Sequence, residues 1–151
     1  MFSDDVKASI QESILCWLAT SGEDNFPSVS PKEIFTFNGD NEILIANIAS
    51  PNSVNNILEN PKVCVSFIHV FKQKGFQIYG SADYITKDDS DFSELYTLKI
   101  QPMTDGVYPV AGIIRIRAEK IKPIVAPSYA LFPDIPEEDK VKSAKKHYGL
   151  E

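Results

Sequence analysis

The sequence predicts a mainly β α+β domain in which a small barrel-like sheet carries a few separate helices. Short apolar segments rich in β-branched and aromatic residues recur along the chain, which is typical of strands. Turn residues separate these segments, and Asn38-Gly39 is a pair that favours a tight hairpin. Helical spacing of apolar residues is confined to a few segments. Together these observations predict an antiparallel sheet whose strands are joined by hairpins.

Six segments have the composition of strands. They are residues 14–21, 28–37, 42–48, 62–71, 75–85 and 111–124. Pro31, within the second segment, predicts an edge position or a bulge because proline cannot donate to the ladder. Gly80, within the fifth, predicts a bulge or the close approach of another group.

The helical segments are shorter and more polar. Ser3 is an expected N-cap, and Val6, Ile10 and Ile14 follow at intervals of four residues, which places them on one helical face. The other predicted helices cover residues 54–60, 88–100 and 137–149.

Composition limits the class of protein. The chain has 151 residues, 43% of them hydrophobic, and no shift in composition divides it. We therefore expect one domain over residues 1–151, with residues 124–151 forming a C-terminal arm and helix. A net charge of −6 disfavours binding to nucleic acid, which requires clustered Lys and Arg.

The termini and cysteines indicate a cytoplasmic protein. The N-terminus is acidic and polar, unlike a signal peptide, and no apolar stretch is long enough for a bilayer, so we expect no membrane partner. Cys16 and Cys64 lie in separate apolar segments and are expected to be reduced, buried thiols.

Most chemical motifs are missing. The sequence contains no GxGxxG, GxxxxGK[ST] or GxSxG. His69 and His147 stand without Cys or carboxylate residues at metal-ligand spacing, so we expect packed histidines and no metal site.

The stretch ANIASPNSVNNI, residues 46–57, is the first candidate site. A strand ends there and a short helix begins, with Ser50, Asn52 and Ser53 at the junction. These side chains could simply cap the helix. The same free N–H groups with hydroxyls beside them can also hold a phosphate. The stretch alone favours capping.

Lys32 strengthens the phosphate interpretation. Ser30 and Lys32 are two residues apart, so they share one face of a strand. The hairpin at Asn38-Gly39 should bring Lys32 near residues 46–48. A lysine beside a helix N-terminus supplies charge that the helix dipole provides only in part.

Arg115 and Arg117 form a second candidate, since they share a face of the last strand. They could contact an anionic ligand or a partner subunit's acids, or lie on a solvated sheet face.

The order of these motifs resembles the FMN-binding split-barrel proteins related to pyridoxamine 5′-phosphate oxidase. The resemblance is carried by WLATSGEDNFPSVSPKEIF, a hairpin, ILIANIASPNSVNNILENPKVCVSF and FQIYGSADYI, over residues 6–86. The segment IRIRAEKIKPIVAPSYALFPD resembles a subgroup of short members.

This resemblance implies a six-stranded antiparallel split β-barrel with Greek-key topology and flanking helices. It also implies a homodimer with FMN at the subunit interface. By position, the flavin-contacting residues are Ser30, Pro31, Lys32, Glu33, Asn47, Ile48, Ala49, Ser50, Asn52, Ser53, Phe67 and Gln77. Asn52 and Ser53 would hold the phosphate.

Two departures from the family pattern change the expectation. Many relatives have Lys or Arg where this chain has the neutral Asn52, so Lys32 would carry more of the phosphate charge. Authentic pyridoxamine phosphate oxidases have an Arg-x-His motif near the C-terminus, whereas this chain has Arg115-Ile116-Arg117, no such motif, and a shorter sequence. We therefore expect another substrate.

The resulting hypothesis is a flavin oxidoreductase that transfers hydride or electrons through FMN to an unknown small-molecule acceptor. The alternatives are a non-catalytic flavin carrier, a relative that binds deazaflavin F420, and a dimeric interaction module without a cofactor.

Overall fold

The computed structural model describes residues 1–150, and its centre is one antiparallel sheet of seven strands. The strands are β1 Cys16–Ser21, β2 Pro27–Lys32, β3 Phe35–Asn38, β4 Glu42–Asn47, β5 Lys62–His69, β6 Lys74–Thr86 and β7 Gly112–Val125. Their order across the sheet is β2-β1-β5-β6-β7-β4-β3. The prediction of a mainly β antiparallel fold with flanking helices is confirmed.

The prediction of six strands is wrong, and the error lies in residues 28–37. This segment forms two strands, β2 and β3, which are separated at Glu33 and Ile34. β2 pairs with β1, whereas β3 pairs with β4 through the Asn38-Gly39 hairpin. Both halves have strand composition, so the sequence pattern does not show that the chain changes partners between them.

The break brings the two edges of the sheet together. β2 and β3 are the edge strands, and only two residues separate them along the chain. The sheet therefore curls until its edges meet at residues 33 and 34. Pro31 lies on the edge strand β2, as expected for a residue without an N–H donor. The bulge expected at Gly80 is present as a register shift between Tyr79 and Gly80.

The helices are α1 Asp4–Glu12, α2 Pro51–Glu59, α3 Phe92–Leu95, α4 Gln101–Thr104, α5 Ser128–Leu131 and α6 Glu137–His147. A π-helical turn, Tyr96–Ile100, joins α3 to α4. The helix predicted over 88–100 is therefore shorter at its start, irregular, and continued to Thr104. In α1, the Ser3 hydroxyl accepts from Val6 N at 3.3 Å, which confirms the predicted N-cap.

Both faces of β4 are buried, which explains its continuous apolar run. Ile43 and Ile45 face the interior of the curled sheet and join its main core. Leu44 and Ala46 face outward into a second core, which the segment around Ile100 covers. Of the described helices, none is long and apolar enough to cross a membrane.

Candidate functional site

The start of α2 does not behave as an ordinary capped helix. Ser50 occupies the N-cap position, but within the described chain its hydroxyl makes no hydrogen bond to the first turn. The backbone N–H of Ser50 instead donates to Asn47 Oδ1 at 3.0 Å. The capping interpretation therefore does not account for the Ser50 side chain.

The Ser50 hydroxyl faces Lys32. Lys32 Nζ donates to Ser50 Oγ at 2.5 Å. Lys32 is only 7% exposed, yet in residues 1–150 its ammonium group forms no ion pair. A buried cation without a carboxylate is uncommon, because its desolvation is not offset by an opposite charge.

The shared face of Ser30 and Lys32 is confirmed, and both side chains reach α2. Ser30 Oγ lies 3.2 Å from Ser53 Oγ, one turn away from the contact between Lys32 and Ser50. The route differs from the expected cross-strand pairing of Lys32 with β4. The hydrogen bonds between β4 and the β3 side of the hairpin end where Ala46 N donates to Ile34 O at 3.0 Å. Lys32 lies on the other side of the strand break and therefore has no partner in β4.

The environment of Lys32 destabilises its charged form. Burial lowers the pKa of Lys32. Cys16 pairs with Lys32 across β1 and β2, and burial raises the pKa of its thiol to about 12. The thiol is therefore protonated at neutral pH and supplies no negative charge to Lys32.

A cavity of about 490 Å³ opens beside Lys32 and Ser50. This volume lies within the range of small-molecule sites. Six of the twelve predicted residues line it: Pro31, Lys32, Glu33, Ile48, Ala49 and Ser50. The structure thus places residues at the end of β2, at the strand break and directly before α2 around one opening.

The other predicted residues lie elsewhere. Three of them, Asn47, Ser30 and Ser53, are buried or half-buried beside the cavity wall, and Asn52 is exposed on the first turn of α2.

Phe67 is 2% exposed in the main core, so its ring offers almost no surface to a ligand. Gln77 lies on the opposite, outer face of the sheet and accepts from the Tyr79 hydroxyl at 3.3 Å. Within one chain, neither Phe67 nor Gln77 joins the cluster around Lys32.

Sequence reasoning missed part of the cavity wall. Ile14, Met103 and Tyr108 also line the cavity. Met103 and Tyr108 belong to the connection between β6 and β7, where no local pattern signals a role. Their position becomes evident only from the structure. Asn47 pairs with Gly112, and this pairing places the end of the connection beside the candidate site.

An exposed apolar surface adjoins the cavity. Ile14, Trp17, Ile68 and Val70 are 84%, 46%, 39% and 51% exposed, and they line a second cavity of about 350 Å³. Ile14 lines both cavities, so the apolar surface and the candidate site are continuous.

Arg115 and Arg117 are paired within the chain. Arg115 forms ion pairs with Asp83 at 2.8 Å and with Asp91 at 3.1 Å. Arg117 contacts Asp83 at 3.0 Å and Glu42 at 3.8 Å. These carboxylates occupy the guanidinium groups, so the two arginines do not form a free anion site.

Comparison with known proteins identifies the family. The family model described as pyridoxamine 5′-phosphate oxidase matches residues 2–124. The chain belongs to the pyridoxamine 5′-phosphate oxidase family. The match covers all seven strands except the last residue of β7, and with them the cavity lining. No curated protein sequence matches the chain.

Solved structures of this fold are similar to the chain at low sequence identity. HupZ from Group A Streptococcus superimposes with a TM-score of 0.68 at 20% identity, covering 80% of this chain and 92% of that one. An FMN-binding protein from Syntrophomonas wolfei gives 0.67 at 15% identity, covering 80% and 84%. A structure called F420 reductase gives 0.60 at 19% identity, covering 80% and 98%. These likenesses support the fold of the pyridoxamine 5′-phosphate oxidase family.

Proposed function

We propose that this chain binds FMN, with the phosphate held between Lys32 and the N-terminus of α2. The observation that carries the proposal is the buried Lys32 ammonium, whose partner in the described chain is a hydroxyl and not a carboxylate. An anion at this position would offset the desolvation of Lys32, as an ion pair does for a buried charge.

The donors around Lys32 fit a phosphate. The backbone N–H groups of Asn52 and Ser53 belong to the first turn of α2, where a helix provides no carbonyl partners. They add to the Ser50 hydroxyl and to the positive end of the helix dipole. Since Asn52 is neutral, Lys32 is the cation of this site.

The remaining lining fits the rest of a flavin. Ile14, Ile34, Ile48 and Met103 give the cavity apolar surfaces against which a flavin ring can pack. FMN, when bound, supplies hydride or electron transfer. The chain positions and shields the cofactor, and we propose that it acts as an oxidoreductase with a small-molecule acceptor.

Pyridoxamine phosphate is not the substrate we propose. The chain has no Arg-x-His motif, and acidic side chains of the same chain already pair with both Arg115 and Arg117. They are therefore poorly placed to recognise a second phosphate.

We also propose a homodimer that uses the apolar surface around Trp17. This surface is continuous with the cavity through Ile14, so a second subunit seated on it would close the open side of the site. Sedimentation analysis of the protein and of Trp17→Lys tests this proposal. A dimer that Trp17→Lys converts to a monomer supports it, and a monomeric wild-type protein contradicts it.

FMN titration followed by anaerobic reduction tests the function. We expect the visible flavin bands to shift on binding and to bleach when a reduced nicotinamide is added, with recovery when an artificial electron acceptor follows. Binding without reduction would favour the non-catalytic carrier. Absence of binding would contradict the flavin proposal.

Deazaflavin F420 is the second candidate ligand, because the F420 reductase structure has the same fold. The longer anionic tail of F420 favours a more basic groove, whereas Lys32 is the one cation among the cavity-lining residues of the described chain. We therefore expect FMN to bind more tightly than F420 in a direct competition. Tighter binding of F420 would make F420 the favoured ligand of this site.

A further inference from the structure

Asn47 connects the candidate site to a tyrosine that sequence reasoning did not identify. The Asn47 side chain accepts from Ser50 N at 3.0 Å and donates from Nδ2 to Tyr84 Oη at 2.9 Å. Because a backbone N–H can only donate, Asn47 Oδ1 must face Ser50 and Nδ2 must face Tyr84. Both ends of this buried amide are thus bonded inside the protein.

Gly112 provides the space for this contact. Asn47 pairs with Gly112 across β4 and β7, while Tyr84 pairs with Ile114 on the same face of the sheet. A Cβ atom at position 112 would lie 2.3 Å from Tyr84 Oη and 2.3 Å from Tyr84 Cζ. The Tyr84 ring therefore lies over the bare backbone of Gly112 on its way to Asn47, and any larger residue would displace it.

The backbone of Asn47 is fixed from the same side. Ala111 N donates to Asn47 O at 2.8 Å, directly before β7 begins. The peptide and the side chain of Asn47 are thus both held by groups outside its own strand. Ser50 follows three residues later, and its orientation toward Lys32 depends on the bond from Ser50 N to Asn47.

We propose that Tyr84 is a positioning residue for the anion site, resting on the proposed binding of FMN. Tyr84 does not line the cavity. Its hydroxyl fixes the Asn47 amide, the amide fixes the Ser50 backbone, and the Ser50 hydroxyl then lies against Lys32. The role of Tyr84 is therefore specific to the phosphate end of the ligand.

The variant Tyr84→Phe tests this role, because it removes one oxygen and keeps the ring over Gly112. FMN and riboflavin differ only in the phosphate, so their dissociation constants separate phosphate positioning from general loss of structure. We expect Tyr84→Phe to weaken FMN binding by about tenfold, the effect of one hydrogen bond to a buried group. Riboflavin affinity should change by less than about twofold.

Tyr129→Phe is the matched control. The Tyr129 hydroxyl also makes a part-buried hydrogen bond, to Lys72 O at 2.7 Å, but it lies in the C-terminal arm away from the cavity. We expect this variant to bind FMN and riboflavin as the wild type does. A second variant, Gly112→Ala, should reproduce the selective loss of FMN affinity by displacing the Tyr84 ring, with no further loss when combined with Tyr84→Phe.

The flavin affinities of the wild type and of Tyr84→Phe distinguish failure of the Tyr84 proposal from failure of the phosphate-site proposal. Equal weakening of FMN and riboflavin by Tyr84→Phe would show a merely structural tyrosine and overturn the inference, as would unchanged FMN affinity. A wild-type protein that binds riboflavin as tightly as FMN would instead remove the proposed phosphate site itself. A wild type that binds neither flavin would remove both claims.

Discussion

Arg115 and Lys32 are two cations held against the same sheet, and the protein surrounds them differently. Arg115 lies on the outer face of β7 with a side chain 16% exposed, and it contacts two carboxylates. Lys32 lies on the inner face of the edge strand β2, and its partner is a serine hydroxyl. The chain neutralises Arg115 with its own carboxylates, whereas we propose that a bound anion neutralises Lys32.

This difference separates a structural cation, Arg115, from the cation that we propose binds the ligand, Lys32. The hydrogen bonds of Asp83 and Asp91 raise the pKa of Arg115, whereas burial lowers the pKa of Lys32. An arginine that is already neutralised stabilises the fold. A lysine that is buried without an acid destabilises the ligand-free protein and becomes favourable when an anion arrives.

The largest expected effect is that of Lys32→Met, which removes the charge and keeps most of the stem. FMN affinity should fall by about 100-fold, because a charge-assisted contact to phosphate is lost. The free energy of unfolding of the ligand-free protein should not fall and should rise by about 1 kcal/mol, since an unpaired buried cation disappears. Fluorescence titration and urea unfolding measure the two quantities.

Arg115→Met should give the opposite result, which makes it the matched control. Loss of Arg115 leaves Asp91 without a guanidinium partner and Asp83 with Arg117 alone, so the free energy of unfolding should fall by about 1 kcal/mol. FMN affinity should stay at the wild-type value. If Arg115→Met weakened FMN binding as strongly as Lys32→Met, the contrast between the two cations would be lost.

The pH dependence of stability sharpens the comparison. The pKa of Lys32 is lowered from its ordinary value of 10.5, so below 10.5 the unfolded chain binds a proton that the folded protein holds less tightly. The free energy of unfolding of the wild type, relative to Lys32→Met, should therefore rise as the pH increases from about 7 toward about 10. Denaturant unfolding of both proteins at the two pH values measures this difference. A difference that stayed constant would mean that Lys32 is not destabilised by burial.

Ser53→Ala should have the smallest effect on the site. Ser53 Oγ contacts Ser30 Oγ at 3.2 Å, so its loss loosens the first turn of α2 against β2. FMN affinity should fall by about threefold while the free energy of unfolding falls by less than about 0.5 kcal/mol.

Ser3→Ala provides the control for a serine that only caps a helix. Its hydroxyl accepts from Val6 N in α1, and its loss should lower the free energy of unfolding by about 1 kcal/mol without changing FMN affinity. Thermal unfolding and flavin titration of the two serine variants should therefore rank them in opposite orders. If one of the two variants were the more affected in both measurements, Ser53 would have a purely structural role.

Local chemistry was enough to predict most of the fold. The hairpin at Asn38-Gly39, the N-cap at Ser3 and the bulge at Gly80 each depend on one or two residues, and each is found. The break between β2 and β3 could not be predicted in this way, because it depends on which strand each half pairs with. Pairing is a property of the whole sheet, and within residues 28–37 the edge signal of Pro31 does not show where the chain changes partners.

The candidate site shows the same division. Ser30 and Lys32 were placed correctly on one face because strand periodicity requires it. Tyr84 was missed, since its contact with Asn47 depends on the register of β6 and β7 and on the absence of a side chain at Gly112. Phe67 on β5 pairs with Phe76 on β6, so Gln77, the next residue of β6, faces the opposite side of the sheet from Phe67. Resemblance by position does not reveal this difference.

The most direct test of the account is a thermodynamic cycle that compares FMN and riboflavin in the wild type and in Lys32→Met. If Lys32 neutralises the phosphate, the wild type should bind FMN at least about 100-fold more tightly than riboflavin, and Lys32→Met should reduce this advantage by about 100-fold. If FMN keeps the same advantage over riboflavin in Lys32→Met, the phosphate does not lie at Lys32, and the site proposed here is wrong.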